Sequence, residues 1–238
     1  MQVKDLFFAD DLSEKMTNFI AEHTSPVELL NNFPSLMKGV KGQVVKGTVQ
    51  EGAIIQGDVF IDEGSVVHAG VVIEGPVYIG KNVSIRPHSN LRKGCYLDDE
   101  VVIGHGADIK NALLMRGAKV QDGTFCGDSV VGRGGRVGSG TILANRKFNQ
   151  TNIKIDLNGV QDSGRDFFGA ILGDYSRLAA NVVTSPGTVI GAYTWVGSGV
   201  VLNGTIPADT LVTVKQELES RTKDRVDLKS GIGEYEHL

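Results

Sequence analysis

Residues 49–114 read VQEGAIIQGDVFIDEGSVVHAGVVIEGPVYIGKNVSIRPHSNLRKGCYLDDEVVIGHGADIKNALL, and every sixth one is aliphatic: Val49, Ile55, Ile61, Val67, Ile73, Ile79, Ile85, Leu91, Leu97, Ile103 and Ile109. Four residues after each comes a mostly small or β-branched side chain (Ala53, Val59, Ser65, Val71, Val77, Val83, Ser89, Cys95, Val101, Ala107), and the position directly after each aliphatic is polar or Gly. A helix scatters positions six apart around its surface, and simple alternation puts an apolar residue at every second place. Six residues instead make one short strand and a turn, with one large and one small side chain pointing into a narrow interior. Three such units close a triangular coil, and successive coils stack as parallel strands about 4.8 Å apart. The spacing predicts an all-β fold, a parallel β-helix of hexapeptide repeats over residues 42–211.

Such a rod grows by stacking, so the usual limit on one core does not apply. A net charge of −4 gives no support for nucleic acid or an anionic membrane as a partner. The opening MQVKDLFFADDLSEK lacks the apolar run of a signal peptide, and nothing approaches a membrane-spanning length, so a cytoplasmic protein is expected. Cys95 and Cys126 occupy inward positions and read as buried free thiols.

Residues 1–41 carry no repeat. Leu12, Met16, Phe19 and Ile20 fit one helical face, and Ser25-Pro26-Val27-Glu28 reads as a capping box opening a second helix. This piece is expected to be a lid on the first coils, where open strand edges need covering. Between Gly42 and Leu143 the period shortens: after Ile109 the aliphatic positions read Leu114, Val120, Cys126, then Val131 and Val137. Residues 144–170 break it, and the alternation of Ile153, Ile155 and Leu157 before Asn158-Gly159 predicts a protruding hairpin. The period resumes at Leu172, and Ile206-Pro207 is expected to end it. Residues 212–238 read as a charged tail, helical over 212–226 and loose around Gly231 and Gly233.

The blocks VELLNNFPSLMKGVKGQVVKGTV, EGPVYIGKNVSIRPHSNLRKG, DIKNALLMRGAKV, GDSVVGRGGRVGSGTILANRKF and SGRDFFGAILGD follow one another over about residues 26–210. In this order they resemble the C-terminal acyltransferase region of bifunctional sugar-1-phosphate nucleotidylyltransferase/N-acetyltransferases. The resemblance implies a left-handed β-helix and a homotrimer that binds a sugar phosphate and acetyl-CoA, or another acyl-CoA, in clefts between subunits. The nucleotidylyltransferase half is expected to be missing, since no Gly-rich nucleotide loop stands in residues 1–41. Arg92 in LRKG and Lys110 in DIKN match positions that hold the sugar phosphate, and Asn145 in LAN matches a substrate-binding asparagine. Two cations on neighbouring coils suit a phosphate. Relatives lay the cofactor along later coils beside small residues, which here implies Ser139, Ala180 and Ser198.

Three family positions differ. Where relatives carry a catalytic histidine in Pro-His-Leu-Ser-Tyr, this chain reads Gln121-Asp122-Gly123-Thr124-Phe125, and a lysine six residues after the loop asparagine is Thr151. The shortened register stacks Ile103 on Val120, which puts His105 and Asp122 on adjacent coils. A relocated base is therefore expected, His105 accepting the proton and Asp122 orienting it. The function expected is an acyl-CoA-dependent N- or O-acyltransferase acting on a sugar phosphate or nucleotide sugar. The alternative is a noncatalytic trimeric paralogue that binds such ligands. A zinc enzyme using histidines between subunits is disfavoured, because His68, His88 and His105 fall at different phases of the repeat, and no metal is expected.

Overall fold

The computed structural model describes residues 1–8 and 12–223. From Gln43 the chain winds a triangular, left-handed parallel β-helix, its faces formed by sheets of nine, nine and eight parallel strands. The first face opens with Gln43–Val45, the second with Thr48–Val49 and the third with Ile54–Gln56. Each strand pairs with the one a full coil later, so that Ile61 lies opposite Ile79, and Ile79 opposite Leu97. From Ile61 to Ile109 every sixth-residue aliphatic is buried, and these side chains fill the rod as one continuous core. Cys95 and Cys126 belong to it as free thiols, and burial pushes both up, Cys95 to about 12. The register change is where the spacing puts it: Leu97 pairs with Leu114 and Ile103 with Val120.

The N-terminal segment is helical but does not close the rod's end. Helix α1 (Glu14–Ala21) starts at the Ser13 cap, and α2 (Pro26–Asn32) starts at Ser25, with Glu28 reaching back to the Ser25 amide. Their buried Met16, Phe19, Leu29 and Leu30 pack sideways onto Tyr96, Leu113, Val130, Ile171 and Val189, which all point out of the first face. That face presents a continuous apolar stripe beneath the helices. At the matching outward positions the second face carries Lys119, Arg136 and Arg177, and the third mixes Asn90 and Asp108 with Ile54, Val72, Phe125 and Ile142. Covering a continuous apolar stripe gains more than shielding one strand edge, because the gain scales with the area removed from water. The first coil stays open, with Val44, Val45 and Ile54 exposed by 44, 45 and 50%.

The rod does not end at Ile206-Pro207. Pro207 sits at a corner, where no ladder N–H is needed, and its carbonyl accepts from Thr194 Oγ1 at 2.7 Å. The chain then adds Leu211–Val212 opposite Trp195–Val196. Residues 213–223 form no helix. With no apolar face to dock, a helix this short is marginal in water. The rest of the expected helix, Gly231, Gly233 and His237 lie outside the described residues. Within the insertion, Lys154–Asp156 and Val160–Asp162 pair antiparallel around Asn158 and Gly159, both at positive φ.

Candidate functional site

Arg92 and Lys110 end the third-face strands Asn90–Arg92 and Asp108–Lys110 and stand opposite one another on neighbouring coils. Neither cation is free. Arg92 grips Asp108 through two hydrogen bonds, that from Nε at 2.9 Å. Lys110 Nζ lies 3.3 Å from Asp128 Oδ2 and 4.0 Å from the Phe167 ring centre. Asn145 arrives from the coil above and donates to the same Asp128 Oδ2 at 2.7 Å.

Asp128 is the hub of this corner and was not singled out by the sequence. It is 2% exposed and sits in the left-handed backbone region, φ +47°. Besides Lys110 and Asn145 it accepts from Asn111 Nδ2 at 2.7 Å and from Arg165 at 3.2 Å. Arg165 also donates to the Phe167 carbonyl, the Leu30 carbonyl and Asn31 Oδ1, so the insertion, α2 and the rod meet in one guanidinium. Arg146 adds a fourth cation, 3.8 Å from Asp166 and 4.6 Å from the Phe167 ring. Among the described residues of this corner, Arg92, Lys110, Arg146 and Arg165 face only Asp108, Asp128 and Asp166 as ion-pair partners, leaving a positive balance that suits an anion.

A second corner carries the other expected residues. His105, Asp122, Ser139, Ala180 and Ser198 stack there as a column, tied by amide bonds from Gly123 to the His105 carbonyl, Gly140 to Asp122, Asn181 to Ser139 and Gly199 to Ala180. Beside it opens a cleft of about 750 Å³, lined by Arg136, Arg177, Ala179, Trp195, Gly197 and Leu211. The expected pairing of the His105 imidazole with the Asp122 carboxylate is not made. Asp122 Oδ1 instead accepts the His105 backbone N–H at 2.8 Å. The same fastening recurs where Asp99 takes the Lys81 amide and Asp174 the Arg133 amide, both at 2.7 Å. In each case the preceding residue is Gly. A Cβ at Gly104 would come within 2.5 Å of Asp122 Oδ1, so the missing side chain is what admits the carboxylate. The stacking that brings the two residues together thus aims Asp122 at backbone, and the His105 ring meets His88 edge-on at 5.5 Å.

Among the described residues no group of three or more His, Cys, Asp or Glu comes together as a metal cage, and no helix is long and apolar enough to cross a membrane.

The archaeal bifunctional protein GlmU of Methanococcus aeolicus is 28% identical over 209 residues, which cover 88% of this chain and 51% of that protein. The bifunctional sugar-1-phosphate nucleotidylyltransferase/acetyltransferase of Sulfurisphaera tokodaii is 37% identical over 158 residues, 66% of this chain and 39% of that one. The chain therefore spans about half or less of these relatives. Among solved structures, the UDP-N-acetylglucosamine acyltransferase of Francisella novicida aligns with a TM-score of 0.34 at 19% identity, covering 72% of this chain and 64% of that one. Residues 73–220, which hold both corners almost entire, match the family described as the GMPPB C-terminal domain, and the chain belongs to that family.

Proposed function

We propose that this chain is an acyl-CoA-dependent acyltransferase whose acceptor is a sugar phosphate or a nucleotide sugar, working as a homotrimer in the cytoplasm. The observation that carries the reading is that Lys110 and Asn145 meet on Asp128, while Arg92, opposite Lys110 on the neighbouring coil, pairs with Asp108, at a corner with an excess of cations. Arg92 and Lys110 hold the acceptor's phosphate, and Asn145 bonds the sugar. The acyl-CoA lies along Ser139, Ala180 and Ser198, its phosphates on Arg136 and Arg177 and its adenine against Trp195. His105 takes the proton from the acceptor's amine or hydroxyl as it attacks the thioester carbonyl, and the CoA thiolate leaves. Within one rod these residues occupy different corners, so threefold packing of copies is what joins them into one site.

A second reading, a noncatalytic trimer that binds the same ligands, is favoured by one observation: Asp122, at the position of the relatives' histidine, spends its carboxylate on backbone. Release of CoA thiol from acetyl-CoA and longer acyl-CoAs, with glucosamine-1-phosphate as acceptor, separates the two. Turnover that is lost in His105→Asn while both ligands still bind supports the enzyme. Calorimetric binding of both ligands with no thiol release establishes the second reading.

A further inference from the structure

We propose that the crevice between the N-terminal segment and the first coils binds a mononucleotide, at a site separate from both corners described above. The crevice measures about 250 Å³ and is lined by Lys15, Lys38, Lys41, Val44, Phe60 and Tyr78 among others. Its floor is a ladder of aromatic rings pointing out of the first face. Phe60 and Tyr78 stack at 5.2 Å with 7° between their planes, and Tyr78 and Tyr96 at 4.6 Å with 9°. The next position along this ladder is Val44, which lies opposite Phe60 on the first coil and is 44% exposed. The stack therefore stops inside the crevice, where a small side chain leaves room for one more flat ring. Such a ring stacks on an aromatic face irrespective of its identity.

The charged residues that line the crevice are all lysines, although the fields of Asp62, Asp99 and Asp98 reach Tyr78 in its floor. Lys38 and Lys41 are exposed and have no acidic partner among the described residues. Lys15 donates one of its three N–H groups to the Leu36 carbonyl at 2.5 Å and lies 5.3 and 5.5 Å from the Tyr78 and Tyr96 ring centres. Burial pulls its pKa down, with Asp98 the acid whose field opposes that shift. Lys46, 5.1 Å from the Phe60 ring, is already neutralised by Asp62 at 3.3 Å. Lys38 and Lys41 bring two unpaired ammonium groups to one small crevice, which an anion would neutralise. A phosphate answers the lysines and a base answers the ring stack. The volume is too small for a dinucleotide or a folded peptide.

The test is calorimetric titration of the full chain with GMP, AMP and UMP, in an Arg177→Ala background that cripples the cleft beside Trp195. Saturable binding at one site per chain is expected, with guanosine and inorganic phosphate each weaker by at least about tenfold. Phe60→Leu, which keeps an apolar side chain, and the exposed pair Lys38→Glu/Lys41→Glu should each lower nucleotide affinity about tenfold or more, whereas Arg92→Ala should not. Thermal melts confirm that these variants fold. Absence of saturable binding by all three nucleotides overturns the proposal. So does binding that survives both variants, or that disappears only with Arg92→Ala.

Discussion

Arg92 is held by Asp108 before any ligand arrives, and this makes the acid a brake on the cation. Both side chains are more than one-third exposed, so the pair itself contributes little to stability. Its effect is on binding. Asp108→Asn should tighten sugar-phosphate binding several-fold by freeing the guanidinium, while Arg92→Ala should weaken it about tenfold. Titration calorimetry checks both, and an unchanged affinity in both would move the phosphate elsewhere. Asp98 shows a different residue-scale effect. It is 4% exposed, its Oδ2 has no partner, and burial pushes its pKa up to about 6. The folded chain holds that proton more tightly than the unfolded chain, so the group favours folding below about pH 4 and loses that contribution as pH rises through about 6. Asp98→Asn should therefore raise Tm near neutral pH by an amount worth about 1–2 kcal/mol and leave it almost unchanged near pH 4. Equal shifts at both pH values would place the gain in something other than ionisation. Arg92, Lys110 and Asn145 could be picked out as candidates because each stands in a short motif that matches relatives. Asp128 and Arg165 were not, because their contact spans 37 residues and forms only when the insertion folds back over the rod.

At the scale of elements, the period of six gave the parallel coil, though not its hand, and it also located the register change to the correct coil. The docking side of the N-terminal segment was written in a slower rhythm laid over it. Phe60, Tyr78, Tyr96, Leu113, Val130, Ile171 and Val189 each stand one place before an inward aliphatic, on every third unit. Reading the outward positions face by face, rather than the inward ones along the chain, exposes that stripe. Pro207 misled for the opposite reason: proline stops a helix or a central strand, but a corner of this rod needs no amide there. Phe33 follows α2 and is fully buried with the stripe. Phe33→Ala should cost about 3–5 kcal/mol, measured as a drop in the urea midpoint, although it touches no part of the rod's own core. A loss below about 1 kcal/mol would mean that the segment docks only loosely.

For the whole molecule, the separation of the two corners on one rod predicts that a site exists only in the assembled trimer. Sedimentation at micromolar concentration should give three times the 25.4 kDa of the chain. A monomer under those conditions removes the shared site along with the assembly. The N-terminal segment has one more consequence. In a solenoid each coil touches only its neighbours, so unfolding can start at an end and advance coil by coil. Here one segment is bonded to Asp174 through Leu6 and Phe8 and packs on Tyr96 through its helices, which bridges the coils between them. Those coils cannot open one at a time without tearing the bridge, so they form a single cooperative block, with the outermost turns left to fray on their own. Deuterium uptake should record this as a step instead of a gradient: rapid exchange over residues 43–56 and 205–212, and a uniform, much slower exchange through residues 95–190 that collapses all at once when residues 1–41 are removed.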